Sequence, residues 1–173
     1  MNTLIIYAGQ YGTTKRYAEK FAEMTHLPVS SYENIKTLTD YERIIYFGAL
    51  YAGGIKGLKN TVKKLSPNTK LVIVTVGIAD VCNKENISNI RHSIREQVPE
   101  HLLETSSLLH LRGSIDYSKL NFLHKTMMKM LYRSLKNKPV ESLTQEDKEL
   151  IETYNKKVDF VDYDSLKQIL AVL

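Results

Sequence analysis

The chain has 173 residues, 43% of them hydrophobic and 25% charged, which fits one domain spanning 1–173 with a sizeable core. A single cysteine, Cys82, excludes an internal disulfide and cysteine-based metal centres, and five scattered histidines (26, 92, 101, 110, 124) suggest no metal site. The net charge of +5 is local: Lys119, Lys125, Lys129, Arg133, Lys136 and Lys138, with no acidic residue between Tyr117 and Val140, argue for a docking surface and against a nucleic-acid-binding protein.

Thr3 to Ala8 is a short apolar run rich in branched residues, which predicts a buried strand. It is too short for a signal peptide, and no later apolar run approaches the roughly 20 residues that cross a bilayer. A soluble, cytoplasmic protein is expected. From Thr13 the spacing turns helical, with Tyr17, Ala18, Phe21 and Ala22 on one side. Leu27 to Ser30 reads as a short second strand, Arg43 to Gly48 as a third and Ile55 to Leu65 as a helix. Leu71 to Val76 is a fourth strand, Asn86 to Val98 a helix stopped by Pro99, and Ser107 to Leu111 a weaker fifth strand. Helices are then expected at Lys119 to Leu135, Thr144 to Tyr154 and Asp164 to Leu170.

Strands that alternate with helices and are apolar on both faces predict an α/β fold, a doubly wound five-stranded parallel sheet covered on each side. In such sheets ligands bind beyond the carboxyl ends of the strands. Three segments therefore matter: residues 8–14, 49–54 and 75–80.

The first is Ala8-Gly9-Gln10-Tyr11-Gly12-Thr13-Thr14. A dianionic phosphate is best held by backbone amides at a helix N-terminus, with small hydroxyl side chains adding donors. Gly9 and Gly12 permit close approach, while Thr13 and Thr14 sit where the helix starts. An ordinary strand-to-helix turn with a threonine cap explains the same residues. The stretch matches neither G-x-G-x-x-G nor G-x-x-x-x-G-K-[ST]. It also lacks the cysteine of a phosphatase loop and the acidic residues of a phospho-acceptor.

The second segment, Ala49-Leu50-Tyr51-Ala52-Gly53, carries small residues, an apolar side chain and an aromatic, with no charge before Lys56. A flat ring such as isoalloxazine needs such a slot; Tyr51 is the preferred stacking residue and Leu50 the alternative. Tyr51 as an ordinary loop aromatic is the competing reading. In the third segment, Val76, Gly77 and Ile78 offer backbone hydrogen bonds to the edge of the ring, and Asp80 is either part of that set or a helix or turn cap.

Together these segments resemble the flavodoxin-like superfamily, with strand order 2-1-3-4-5, and within it the branch of menaquinone-dependent protoporphyrinogen oxidases. The resemblance rests on Leu4-Ile5-Ile6-Tyr7-Ala8 leading into Gly12-Thr13-Thr14, and on Gly48-Ala49-Leu50-Tyr51-Ala52-Gly53. It rests equally on Arg112-Gly113-Ser114-Ile115-Asp116-Tyr117, followed by a basic, methionine-rich stretch from Phe122 to Leu135 that forms a helical insert at about 117–140. The resemblance implies non-covalent FMN, its phosphate at Gly9 to Thr14 and its ring between the second and third segments. It further implies oxidation of a porphyrinogen with transfer of electrons to a quinone. The flavin would carry that chemistry, so no catalytic side chain is named. Ala8 and Gly9 stand where the family more often has hydroxyl residues, leaving Thr13 and Thr14 as the side-chain phosphate donors.

In the insert, Leu120, Leu123, Met127, Met130, Leu131 and Leu135 share one broad side of a helix, and Lys125, Lys129, Arg133 and Lys136 form a stripe. The apolar side can pack on the protein's own sheet or on a second subunit. Alternatively it can meet an anionic membrane surface at its inner face, near a quinone, or dock a redox partner. Two rival functions remain beside the oxidase: a flavodoxin-type carrier between redox proteins, and a protein that holds another phosphate ligand without redox chemistry. Carriers of that kind are typically acidic, so the basic insert argues against the first rival.

Overall fold

The computed structural model describes residues 1–51 and 54–173. Strands β1 (Thr3–Ala8), β2 (Val29–Ser31) and β3 (Arg43–Tyr51) are followed by a two-residue β4 (Gly54–Ile55). Strands β5 (Lys70–Gly77) and β6 (Ser107–Arg112) come next, then β7 (Ser114–Asp116) and, much later, β8 (Lys157–Asp159). The five parallel strands run β2-β1-β3-β5-β6, which is the expected 2-1-3-4-5 order once the antiparallel β4 is set aside.

Alternating residues of the central strands feed two cores. Leu4 and Ile6 of β1, Ile44 and Tyr46 of β3, and Leu71 and Ile73 of β5 face one side. There they pack on helices α2 (Leu58–Val62), α3 (Lys84–Arg95) and α4 (Glu100–Leu103) through Leu58, Ile90, Ile94 and Leu102. Ile5, Ile45, Phe47, Val72 and Val74 face the other side and meet Tyr17, Ala18 and Phe21 of α1 (Thr13–Thr25). The 3-10 turn Tyr163–Leu166 completes that layer through Leu166, together with Ile169 of a short C-terminal helix, Lys167–Leu170. Burial of both faces explains why these strands are apolar throughout rather than alternating with polar residues.

Three departures from the sequence expectation shape the edge of the sheet where the loops meet. The third strand continues past Gly48 to Tyr51 because Leu50 and Tyr51 pair with Ile55 and Gly54. Ile55 is thus a strand residue, and α2 starts only after Gly57, whose φ of 71° makes it the helix N-cap. The excursion after β6 is also longer than 117–140. It leaves through β7 and returns through β8, an antiparallel neck that pairs Ser114 to Asp116 with Asp159 to Lys157. Between the neck strands lie α5 (Phe122–Lys136) and α6 (Gln145–Thr153).

One buried polar pair makes a pH prediction. His110 on β6 sits opposite Thr75 on β5 and bonds its hydroxyl through Nδ1 at 2.8 Å, while Nε2 is buried with no partner among the described residues. Burial, with a smaller effect from Arg91, pushes the imidazole down from 6.5 to about 4. The unfolded chain therefore binds the extra proton first, and stability present above pH 6.5 is lost as pH falls towards 4. Thermal melts should show this loss in the wild type and a shallower decline in His110→Val; parallel curves would disprove the assignment.

Candidate functional site

The loops at the carboxyl ends of β1, β3 and β5 converge on one cavity of about 560 Å³. The turn after β1 supplies Gln10 and Tyr11, with Thr13 and Thr14 from the start of α1. Gly12 caps that helix at φ 91°, with no side-chain cap bond. The amides of Thr13, Thr14 and Lys15 lie in the first turn of a 13-residue helix, ahead of the first intrahelical bond from Arg16 N–H to the Gly12 carbonyl. A cluster of outward amides at the positive end of a helix suits an anion. Ala8, Gly9 and Gly12, also expected at the site, do not line the cavity. A side chain at Gly9 would sit 2.7 Å from Thr14 Oγ1, so the turn and the helix start are pressed together. Of the two threonine hydroxyls, that of Thr13 is paired with Ser114 Oγ at 2.6 Å.

Ala49, Leu50 and Tyr51 form the second wall. Ala52 and Gly53, the remaining expected residues of that loop, fall outside the described residues. Val76, Gly77, Ile78 and Ala79 form the third wall. Neighbouring side chains hold that third loop. The Arg112 guanidinium donates to the Ile78 carbonyl at 3.1 and 3.0 Å and packs on the Phe160 ring, 3.8 Å from its centroid. Asp80 does not line the cavity. Its Oδ1 accepts from Cys82 N–H at 2.9 Å and its own amide donates to Glu149 Oε2 at 2.8 Å, so it takes the turn-capping role of the two left open by sequence. Cys82 is exposed.

The remaining wall comes from the excursion and was missed by sequence reasoning. His124, Met127, Met128 and Leu131 of α5 and Glu146, Glu149 and Leu150 of α6 close the cavity on the side facing away from the sheet. Glu149 is engaged with the Asp80 amide, whereas the Glu146 carboxyl is held above the usual carboxylate range by desolvation first and by Asp147, Glu149 and Glu85 after it. Tyr117 adds a buried hydroxyl with no partner among the described residues; burial, then Tyr154, pushes it up to about 12. One signal was present in the sequence: His124, Met128 and Leu135 fall on one helical face, and a histidine on that face had to find polar partners.

Helix α5 does not bury its broad apolar side as a core helix would. Only His124 and Leu135 are buried, while Leu123 is 62% and Met130 68% exposed, and Phe122 86%. The Lys125, Lys129, Arg133 and Lys136 stripe is exposed as well. Among the described residues no helix is long and apolar enough to cross a membrane, and no group of side chains could hold a metal ion.

Unpaired amides at a helix start, a slot between two loops of small and apolar residues, and an orphaned buried hydroxyl fit a ligand that joins a phosphate to a flat heteroaromatic ring. A family sequence profile described as a flavodoxin domain matches residues 4–142. Among solved structures, a Lactobacillus acidophilus flavoprotein in complex with FMN is similar at 12% identity and a TM-score of 0.46, covering 64% of this chain and 91% of that one. A Bacteroides uniformis flavoprotein is similar at 13% identity and a TM-score of 0.48, over 65% of this chain and 90% of its own. An archaeal flavodoxin shows 15% identity and a TM-score of 0.43 over 65% and 85%. No curated protein sequence matches the chain.

Proposed function

Since this chain belongs to the flavodoxin domain family, we propose that it is an FMN-dependent oxidoreductase, most like a quinone-dependent protoporphyrinogen oxidase. The observation that carries this reading is the convergence of all three strand-end loops on one cavity beneath the amphipathic, methionine-bearing α5. The amides of residues 13–15 would take the phosphate, and Leu50 and Tyr51 would face Val76 to Ala79 across the ring. Bound there, the flavin would supply two-electron redox chemistry between a porphyrinogen and a menaquinone. The chain's own part is to grip, orient and dry that site. Met127, Met128, Leu131 and Leu150 exclude water from the ring side, and Arg112 fixes the loop at Ile78.

The exposed Leu123 and Met130 beside the lysine stripe support contact with an anionic membrane surface, where each cation near the lipid contributes about 1 kcal/mol. A flavodoxin-type carrier is the alternative; it would leave the ring edge open to a partner protein, and the wall built by α5 and α6 favours the oxidase.

The purified protein should carry the absorbance of oxidised flavin and turn over protoporphyrinogen with a menaquinone analogue. It should sediment with anionic vesicles and stay in solution with neutral ones. Flavin without turnover would select the carrier, and a colourless protein that FMN cannot reconstitute would reject both.

A further inference from the structure

Helix α5 carries two buried side chains, His124 and Leu135, one towards each end. At its far end Leu135 is buried, and Tyr132 stacks on Tyr154 with ring centroids 3.9 Å apart and an interplanar angle of 8°. At its near end the fastening is His124, 8% exposed between the exposed Leu123 and Lys125. Both nitrogens of that imidazole are taken. The Tyr11 hydroxyl meets Nδ1, and the Tyr51 hydroxyl meets Nε2 at 2.6 Å. Tyr11 belongs to the turn before α1 and Tyr51 to the end of β3, so one side chain of α5 joins two loops beyond Ala8 and Gly48, the last residues at which their strands pair.

A third contact extends the bridge. The Tyr11 oxygen also accepts from Asn121 N–H at 3.4 Å. In the neutral imidazole one nitrogen donates and the other accepts, so one of the two tyrosine hydroxyls donates to the ring and the other accepts from it. Asn121 in turn caps α5, its Oδ1 accepting from His124 N–H at 2.8 Å. The chain of hydrogen bonds is continuous from the helix cap to the ring loop. Edge contacts between the three rings, with centroids 5.6 and 5.2 Å apart, hold the imidazole plane against rotation.

We infer that His124 is a positioning residue for the nucleotide: through Tyr11 and Tyr51 it fixes the spacing of the phosphate turn and the ring loop, and it latches α5 over the mouth between them. The inference rests on the FMN reading above. Opening the latch is then a step in release of the nucleotide, because Met127 and Met128 lie over the cavity while the bridge stands.

The test follows FMN fluorescence after dilution of the reconstituted protein. Loss of both hydrogen bonds in His124→Ala should speed release about tenfold. His124→Gln, whose carboxamide offers one acceptor and one donor, should recover part of that loss. Tyr11→Phe combined with His124→Ala should release no faster than His124→Ala alone, since both remove the same bridge. A release rate within twofold of wild type in His124→Ala, or additive effects in the double variant, would overturn the inference. Amide exchange of the protein without nucleotide separates this from failure of the FMN reading. His124→Ala should accelerate exchange over residues 125–131 and leave 132–136 unchanged, and equal exchange throughout would overturn the latch whatever the ligand.

Discussion

Gly12→Val should lower FMN affinity by roughly a hundredfold or more while the chain still folds. Gly12 stands at φ 91°, where a β-branched residue is strained by about 1–2 kcal/mol, and nothing lies within 4 Å of the Cβ it would gain. That strain is a small part of the roughly 5–15 kcal/mol by which a domain of this kind is stable, so the fold survives. The turn relieves the strain by rotating the peptides on either side of residue 12, and these set the direction of the first amides of α1. Misdirecting two charge-assisted hydrogen bonds, each worth about 1.5 kcal/mol or more, accounts for the hundredfold. Circular dichroism should match the wild type and fluorescence titration should show the loss. Normal flavin content in Gly12→Val would place the phosphate elsewhere.

The largest stability effect is expected at Phe47. Its ring is fully buried on β3 and packs against Phe21 of α1, with centroids 5.9 Å apart. It is the residue before Gly48, where β3 begins to leave the core and approach the cavity. Phe47→Ala should cost about 3–5 kcal/mol, since the sheet on one side and the helix on the other cannot both close the void. For a chain of this length that is roughly 6–20 °C in melting temperature. A shift below about 3 °C would mean that the α1 side of the sheet is packed far more loosely than the structure has it.

The sheet was legible because its signal is local and strong. Three runs of branched residues, ending at Ala8, Gly48 and Val76, can be buried on both faces only in a covered parallel sheet, and that condition dictates the helices between them. The convergence of the three strand-end loops on one cavity followed, because such loops share one edge of the sheet.

What stayed illegible depended on pairings far apart in sequence. The neck joins Ser114–Asp116 to Lys157–Asp159, three residues a side, too short to show a period. The extension of β3 needed Ile55 as a partner for Leu50, and the intervening glycines looked like the end of regular structure. Helix α5 was found, but its environment was not. Its apolar residues left packing on the sheet, a second subunit, a membrane surface and a partner all open, and the structure uses Met127, Met128 and Leu131 to wall a cavity and leaves Leu123 and Met130 exposed. His124 was set aside among scattered histidines because a metal site is recognised by spacing along the chain. Its partners, Tyr11 and Tyr51, are 113 and 73 residues away.

A crystal structure of the protein grown with FMN addresses the central claim most directly. The account predicts phosphate oxygens within hydrogen-bonding distance of the Thr13, Thr14 and Lys15 amides, and the isoalloxazine ring between Leu50–Tyr51 and Val76–Ala79, under α5. A nucleotide bound elsewhere, or a turn left empty at saturating FMN, would contradict it.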